Sequence, residues 1–300
     1  MRPQPHALLL TAGPGTRLCP LTLVRAKQAI PVAGVPLVRR LVGWLTANGV
    51  TDLVVNLHHL PATITAVLGD GSDLGARIRY SWEQPVVLGS AGGPRQALPI
   101  VGADRFLIVN GDVLTDVDLP ALAAAHAASG ALVTLALVPN REPLRYGGVR
   151  LDEGGQVVGF VPRGPAATGS FHFIGPQIVE AAAFQSVPMG RPMNSIGGLY
   201  DELMASRPGS VRGFVSAASY WDIGTVADYW ATSVALAGPA APAASRSILW
   251  DDVRIGEGAG LEDCIVTDGV SVPPGRRYRR MILVNTPTGE PAATPFEIQP

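Results

Sequence analysis

The chain has 300 residues, of which 47% are hydrophobic and 16% are charged. This composition excludes disorder as the main state. No run of 18 apolar residues occurs, and the apolar stretch near the start is too short for a secretory signal, so we expect no membrane association. A net charge of −1 argues against general nucleic-acid binding. The two cysteines, Cys19 and Cys264, offer no disulfide framework and favour a reducing, cytoplasmic compartment.

Strands and helices alternate through the first half of the chain. Apolar runs predict strands at 7–11, 52–57, 77–80, 105–109 and 131–138. Helical spacing predicts helices at 37–47, 61–68 and 119–128, the last with Asp118 as its N-cap. This α/β alternation predicts a mostly parallel sheet with helices on both faces.

The pattern changes after Pro139. Segments 147–151 and 157–161 flank an Asp-Glu-Gly-Gly turn and predict a hairpin. Further strands are predicted at 171–174 and 211–215, and helices at 196–205 and 226–236. We take residues 1–237 as the main domain and the Pro- and Ala-rich segment 238–246 as a linker.

Residues 247–275 have a different texture. Small or branched apolar residues recur about every six positions, with glycines between them, at Val253, Ala259, Ile265 and Val270 or Val272. This spacing predicts a short hexapeptide-type β-helix that packs on the main domain, and a plain hairpin with glycine turns is the alternative. Residues 276–300 are predicted to form a strand and a loose tail.

Of the 23 basic residues, 22 are Arg and one, Lys27, is Lys. A GC-rich coding bias turns surface lysines into arginines. A lysine that survives this bias is a candidate for chemistry that needs a compact ammonium, which a planar guanidinium does not replace.

The predicted first strand leads into a glycine-rich loop, Ala12–Arg17, of the kind whose backbone N–H groups bind phosphate. Ordered short motifs follow it: Gly15-Thr16-Arg17-Leu18, Pro20-Leu21-Thr22, Lys27-Gln28, Pro31-Val32 and Pro36-Leu37. This series resembles the N-terminal signature of the sugar-1-phosphate nucleotidyltransferases, G-x-G-T-R-L-x-P-L-T followed by a lysine, P-V and P-L.

Later segments resemble other motifs of the same family. They are Leu88-Gly89-Ser90-Ala91-Gly92-Gly93, Asn110-Gly111-Asp112, Tyr146-Gly147-Gly148-Val149 and Trp221-Asp222-Ile223-Gly224-Thr225. The resemblance spans roughly residues 7 to 275. It implies a Rossmann-like mixed sheet flanked by helices. It also implies a short left-handed β-helix-like segment at the C-terminus, which is common among the mannose-1-phosphate guanylyltransferases.

The resemblance implies attack of a sugar-1-phosphate oxygen on the α-phosphorus of an NTP, with release of pyrophosphate. Arg17 and Lys27 would be catalytic, and Asp112 and Asp222 would hold Mg²⁺. The sugar phosphate would be bound by Gly148 and Arg163. The nucleotide would be bound by Ala12, Gly13, Gly15, Thr16, Gly89, Ser90 and Gly111. Each type of residue suits this chemistry, because phosphoryl transfer depends on positioning and on charge stabilisation.

Some positions depart from the family pattern. Pro14 removes an N–H donor from the phosphate loop. Pro162-Arg163-Gly164-Pro165 stands where relatives have Glu-Lys-Pro, so a sugar-binding carboxylate is missing. The identity of the acceptor sugar phosphate is therefore left open. GTP with mannose 1-phosphate, or a related sugar or cyclitol phosphate, is the leading reading. Thymidylyl or uridylyl transfer is an alternative, as is a non-catalytic sugar-nucleotide-binding regulator. A homo-oligomer is also left open.

Overall fold

The computed structural model describes residues 5–238 and 246–298, so residues 239–245 of the predicted linker lie outside the described part of the chain. The helices are α1 Leu37–Ala47, α2 Pro61–Leu68, α3 Gly89–Val101, α4 Leu119–Ser129, α5 Tyr200–Ser206 and α6 Val226–Ala237.

The strands up to the end of the main domain are β1 His6–Leu10, β2 Pro31–Val32, β3 Val35–Pro36, β4 Asp52–Leu57, β5 Arg77–Trp82, β6 Arg105–Asn110, β7 Val113–Thr115, β8 Val133–Pro139, β9 Gly148–Leu151, β10 Val157–Val161, β11 Phe171–Glu180, β12 Val211–Val215 and β13 Tyr220–Asp222. The C-terminal strands are β14 Ile248–Leu249, β15 Arg254–Ile255, β16 Gly260–Glu262, β17 Ile265–Val266, β18 Ser271–Val272, β19 Arg277–Arg279, β20 Met281–Val284 and β21 Ala292–Pro295.

The chain divides into two compact units. The first comprises the described residues up to Gly13, Leu41–Pro61 and Leu68–Tyr220. The second comprises Pro14–Arg40, Ala62–Val67 and the described residues from Trp221 onward.

The first unit is built on a nine-stranded sheet in the order β10-β9-β11-β6-β1-β4-β5, with β8 paired to β11 and to β12. Strands β6, β1, β4 and β5 are parallel, whereas β11 runs antiparallel to β6 and β8. Buried aliphatic side chains of β1 and β4 pack with small residues of α3 in the core, among them Leu8, Val54, Ala91 and Ala97. The predicted mixed α/β sheet is therefore confirmed.

Two helices differ from the sequence prediction. The segment predicted as helix 196–205 becomes helical only at Tyr200, because Gly197 has φ 75° and Gly198 has φ −164°. Helix α3 was not predicted, since its sequence carries Gly92, Gly93, Pro94 and Pro99, which are poor residues for a helix interior. Asp118 caps α4 as predicted, its carboxylate accepting from the Ala121 N–H at 2.8 Å.

In the second unit, short parallel strands after residue 247 pair at a constant offset of 17 residues, as in Ile248 with Ile265 and Ile265 with Ile282. The strand pairs β15–β18 and β16–β19 show the same offset. Each 17-residue repeat thus carries three short strands about six residues apart, which agrees with the hexapeptide spacing. Val266, Val270, Val272 and Leu283 fill the interior. The handedness stays a prediction.

Part of the segment expected to be a loose tail is ordered. Strand β21 pairs antiparallel with β20. The ring of Phe296 lies 5.5 Å from that of Trp230 on α6, centroid to centroid. We name the strands and turns of residues 246–284 the C-terminal coil.

Candidate active site

The signature loop turns at Gly15, which adopts φ 61°. A Cβ on Gly15 would lie 2.9 Å from Thr22 Cγ2 and 3.1 Å from Lys27 Cβ, so both the backbone conformation and the available space require glycine. The Thr22 hydroxyl donates to the Gly15 carbonyl oxygen at 3.1 Å, and the Leu18 N–H donates to the same oxygen at 2.9 Å. The loop is therefore fixed at Gly15, while Thr16 remains exposed next to it.

Lys27 begins a 3-10 turn, Lys27–Ala29, and is only 6% exposed. Its Cβ and Cδ lie 3.1 and 3.6 Å from the point where a Gly15 Cβ would stand. The preceding Ala26 N–H donates to Thr63 Oγ1 at 3.0 Å, which fixes the backbone beside it. The single lysine of the sequence is thus buried against the glycine loop.

Arg17 extends from the same loop to the late aspartate motif. Its Nη2, Nη1 and Cζ atoms lie 3.2, 3.3 and 3.4 Å from the point where a Gly224 Cβ would stand. Gly224 follows the half-buried Asp222 and precedes α6, whose N-cap Thr225 forms a reciprocal capping box with Asp228. The second unit therefore brings together Gly15, Lys27, Arg17 and the segment that carries Asp222.

The first unit holds the other predicted groups. Ala12 is buried and Gly13 is exposed immediately after β1. The Gly111 N–H, just after the neighbouring parallel strand β6, donates to the Leu10 carbonyl oxygen at 3.0 Å. Asp112 is half-buried in the same turn. These residues lie at the carboxyl ends of adjacent strands, where open α/β sheets bind ligands.

The second glycine-rich stretch forms the start of α3. Gly89 has φ 75°, and a Cβ there would lie 2.7 Å from the Met193 carbonyl oxygen. The Ser90 hydroxyl accepts from the Ser195 N–H at 2.8 Å and lies 2.9 Å from the Ser195 hydroxyl oxygen. Both residues thus have packing roles in the first unit, and their assignment to nucleotide binding stays a prediction.

A buried polar network supports these elements and was missed at the sequence level. The fully buried carboxylate of Glu83 accepts from Asn56 Nδ2 and from the Leu88 N–H, each at 2.6 Å, and Asn56 Oδ1 accepts from the Thr11 N–H at 2.5 Å. Burial raises the pKa of Glu83, and the two donated hydrogen bonds oppose that rise. His58 Nδ1 lies 2.7 Å from the Glu83 carbonyl oxygen, so this ring is part of the same network. The available signal was an acidic residue directly after β5.

The predicted acceptor residues meet at the hairpin formed by β9 and β10. A Cβ on Gly148 would overlap the Ser170 hydroxyl and would lie 2.7 Å from Ser170 Cβ, so no larger residue fits. The exposed Arg163 comes close to the same turn, because its backbone nitrogen lies 3.8 Å from the point where a Gly147 Cβ would stand. Gly148 and Arg163 are therefore brought together in the first unit.

Three rings adjoin this turn, and sequence reasoning did not group them. The His172 ring centroid lies 4.1 Å from that of Tyr146 and 5.0 Å from that of Tyr220. The guanidinium of Arg145 lies 4.8 Å from the Tyr146 ring centroid. Burial lowers the pKa of His172 to about 4, and the positive charge of Arg145 adds to this, so the imidazole is neutral at physiological pH.

The number of clustered ligand side chains decides which metal ions the described residues could hold. Within residues 5–238 and 246–298, no group of three or more His, Cys, Asp or Glu side chains could hold a metal ion. Asp112 and Asp222 supply hard oxygen donors and are both half-buried. Mg²⁺ often takes only one or two carboxylates and fills its other positions with water and substrate phosphates, so each of these aspartates, one in either unit, is a donor of the type that it prefers.

A mostly parallel α/β sheet with a glycine-rich loop after its first strand is typical of nucleotide-binding proteins. The family model described as nucleotidyl transferase matches residues 6–238. The chain belongs to the nucleotidyl transferase family.

Curated relatives carry names of sugar-1-phosphate nucleotidyltransferases. Mannose-1-phosphate guanylyltransferase of Mycobacterium tuberculosis is 31% identical over 288 residues, which is 93% of this chain and 80% of the relative. UTP--glucose-1-phosphate uridylyltransferase of Synechocystis is 32% identical over 75% of this chain and 61% of its own length. N-acetylmuramate alpha-1-phosphate uridylyltransferase of Neisseria meningitidis is 46% identical over 119 residues, 38% of this chain and 50% of the relative.

Solved structures support the fold. A putative glucose-1-phosphate thymidylyltransferase from Bacillus anthracis superimposes with a TM-score of 0.68 at 19% identity, over 79% of this chain and 96% of its own. HddC from Yersinia pseudotuberculosis gives 0.67 at 21% identity, over 77% and 99%. Among the helices of the described segments, none has the length and apolar character needed to cross a membrane.

Proposed function

We propose that the protein transfers a nucleotidyl group from an NTP to a sugar 1-phosphate and releases pyrophosphate, with GTP and mannose 1-phosphate as the first candidates. The family supports the reaction class. The mannose-1-phosphate guanylyltransferase of M. tuberculosis, whose match covers 93% of this chain, supports the choice of substrates.

The observation that carries this proposal is the packing of Lys27 on Gly15 in a loop that also carries Arg17. The reaction joins two anions and moves negative charge onto the departing pyrophosphate. An ammonium packed against the glycine loop and an exposed guanidinium carried by that loop would supply positive charge for that change. We assign catalytic roles to Lys27 and Arg17, and nucleotide contacts to Ala12, Gly13, Gly15, Thr16, Gly89, Ser90 and Gly111.

Members of this family generally depend on a divalent cation, and we propose Mg²⁺ for this chain. Asp112 and Asp222 are the carboxylates that would hold it. When bound, the ion neutralises phosphate charge. Their half-buried position supports the assignment, because partial burial strengthens the attraction between a carboxylate and a cation.

Gly148 and Arg163 are proposed to bind the sugar phosphate. The backbone of Arg163 lies beside the turn in which Gly148 has no room for a side chain, and its exposed guanidinium is available to a phosphate. The family's glutamate is replaced by Pro162, so the acceptor is held by other groups or is not an ordinary hexose phosphate. The neighbouring rings of Tyr146 and His172 favour an acceptor with an apolar face.

Pyrophosphate release with each NTP and a panel of sugar and cyclitol 1-phosphates tests the proposal. We expect release with GTP and mannose 1-phosphate. Release with UTP and an amino sugar phosphate would favour a second candidate, uridylyl transfer, which the 46% identity to the Neisseria relative supports. Absence of release with every pair, together with measurable NTP binding, would identify a non-catalytic regulator instead.

We place this reaction in the cytoplasm, where both substrates would be at hand, and propose no nucleic-acid or membrane partner. The support for this compartment is the low cysteine content of the sequence, two in 300 residues.

A further inference from the structure

Arg25, two residues before Lys27, is held by the C-terminal coil. Its side chain is 12% exposed. Its Nε and Nη2 donate to the two carboxylate oxygens of Asp268 at 2.6 and 2.7 Å, and Nη2 also donates to Asp251 at 2.5 Å. The guanidinium carbon lies 5.5 Å from the Trp250 ring centroid. This is a bidentate, charge-assisted contact reinforced by a second carboxylate and an aromatic face.

The two carboxylates are themselves fixed by the coil. The Asp251 N–H donates to the Asp268 carboxylate at 3.2 Å, and the Gly269 N–H donates to the Asp251 carbonyl oxygen at 3.0 Å. Burial on its own would lower the pKa of Arg25, yet the hydrogen bonds and charges of both aspartates raise it above its ordinary value. The contact is therefore an ion pair in which the guanidinium keeps its charge.

A second contact fixes the backbone on the other side of Lys27. The Trp250 Nε1–H donates to the Tyr229 hydroxyl oxygen at 2.9 Å, and the Tyr229 hydroxyl donates to the Pro31 carbonyl oxygen at 2.8 Å. Tyr229 is fully buried and Trp250 is 5% exposed. Contacts that run from the coil thus hold the chain both before and after the turn that carries Lys27.

We infer that the C-terminal coil positions Lys27, with Arg25 as the positioning residue through which it acts. The inference rests on the proposed function only for the catalytic role of Lys27. If the ion pairs are lost, the turn between Arg25 and Pro31 gains freedom, and the ammonium no longer stays at one place on the glycine loop. The coil is then part of the catalytic apparatus, although none of its residues is proposed to touch substrate.

The unique lysine makes this testable without turnover. An acetylating N-hydroxysuccinimide ester modifies the side-chain amine of Lys27 and the N-terminal amine, and peptide mapping separates the two. We expect Asp268→Asn to speed the acetylation of Lys27 about tenfold, because local opening governs the reactivity of a buried amine. Glu262→Gln is the matched control, since it removes a coil ion pair, Glu262 with Arg279 at 3.1 Å, that includes neither Arg25 nor its aspartate partners.

Kinetics give an independent readout. Asp268→Asn should lower kcat about tenfold at a temperature well below its Tm, as expected when a catalytic group loses its position. In a Lys27→Ala background the same substitution should change the residual rate less than about twofold, because the two changes act through one group. Should Asp268→Asn fail to fold, Arg25→Gln removes the same ion pairs without adding a second amine, and the same acetylation and rate effects are expected of it.

Equal acetylation rates of Lys27 in Asp268→Asn, in Arg25→Gln and in the protein without substitutions would overturn the inference, as would rate losses that multiply fully in the Lys27→Ala background. Faster acetylation of Lys27 in a protein that releases no pyrophosphate with any substrate pair would leave the positioning intact and defeat the proposed function. The two ideas therefore fail separately.

Discussion

Replacing Lys27 by Arg preserves the charge and changes the shape of the cation. Lys27 is 6% exposed, and its Cβ is 3.1 Å from the point where a Gly15 Cβ would stand. A planar guanidinium needs more room than an ammonium and donates in fixed directions. In so confined a place it would either displace the Gly15 turn or point away from the phosphates.

We expect kcat to fall about tenfold or more, which corresponds to about 1.4 kcal/mol of lost transition-state stabilisation. This is a modest estimate, because removing one preorganised donor to developing charge costs about 2.7–4 kcal/mol in a well-studied enzyme. The lower figure allows for the charge that Arg keeps. KM for the sugar phosphate should change little, since Lys27 belongs to the nucleotide loop.

The assay is pyrophosphate release at saturating substrates, with the melting temperature measured beside it. Arg207→Lys, the reverse exchange at an exposed position, is the matched control and should leave both unchanged. Near-normal kcat in Lys27→Arg would exclude a specific need for the ammonium, and Lys27 would then be a residue that escaped the coding bias by chance.

Three further outcomes follow from the site. Asp112→Asn should reduce turnover at least about 100-fold while shifting Tm by no more than about 2 °C. The reason is that this half-buried carboxylate at the end of a strand is proposed to bind the metal ion and is not part of the hydrophobic core. Full activity at ordinary Mg²⁺ concentration would contradict the assignment. Gly148→Ala should cost about 1–3 kcal/mol in unfolding experiments because its Cβ overlaps Ser170, and adding Ser170→Gly should recover part of that loss. His172 should titrate near pH 4 by NMR. Because the pKa of His172 is lower in the folded protein than in the unfolded chain, the unfolded chain takes up the proton first as the pH falls. The free energy of unfolding should therefore decrease as the pH drops from about 6.5 to about 4. A titration midpoint near 6.5 would show that the imidazole is solvated.

The parallel strands were predictable from sequence because continuous apolar runs such as 52–57 can be buried on both faces of a sheet. Helix α3 was not predictable, because its glycines are required by tertiary packing and not by helix propensity. Gly92 lies so close to the Arg191 carbonyl oxygen that a Cβ at this position would be 2.5 Å from it. The same holds for Tyr200, where the helix begins only after two glycines have completed a turn.

The candidate site likewise contains residues that the sequence predicts and residues that it does not. Arg17, Lys27 and Asp112 could be predicted as candidates because they stand in ordered motifs that follow recognisable strands. Glu83 was missed because its partners, Asn56 and the Leu88 N–H, are 27 and 5 residues away, and no local pattern records them. Long-range partners of this kind are fixed by strand adjacency, which a single sequence does not display.

Arg25 and Lys27, two residues apart, show why neighbouring positions carry different kinds of cation. Arg25 must bind two carboxylates at once through Nε and Nη2, at 2.5 to 2.7 Å, a task for which the rigid guanidinium fork is suited and an ammonium is not. Lys27 must fit beside Gly15 in a space that holds a straight stem. If coding bias alone governed the choice between these side chains, position 27 would have become Arg like the 22 other basic positions. The surviving lysine is therefore best explained by local geometry, and the arginine two residues earlier by the carboxylates of the C-terminal coil.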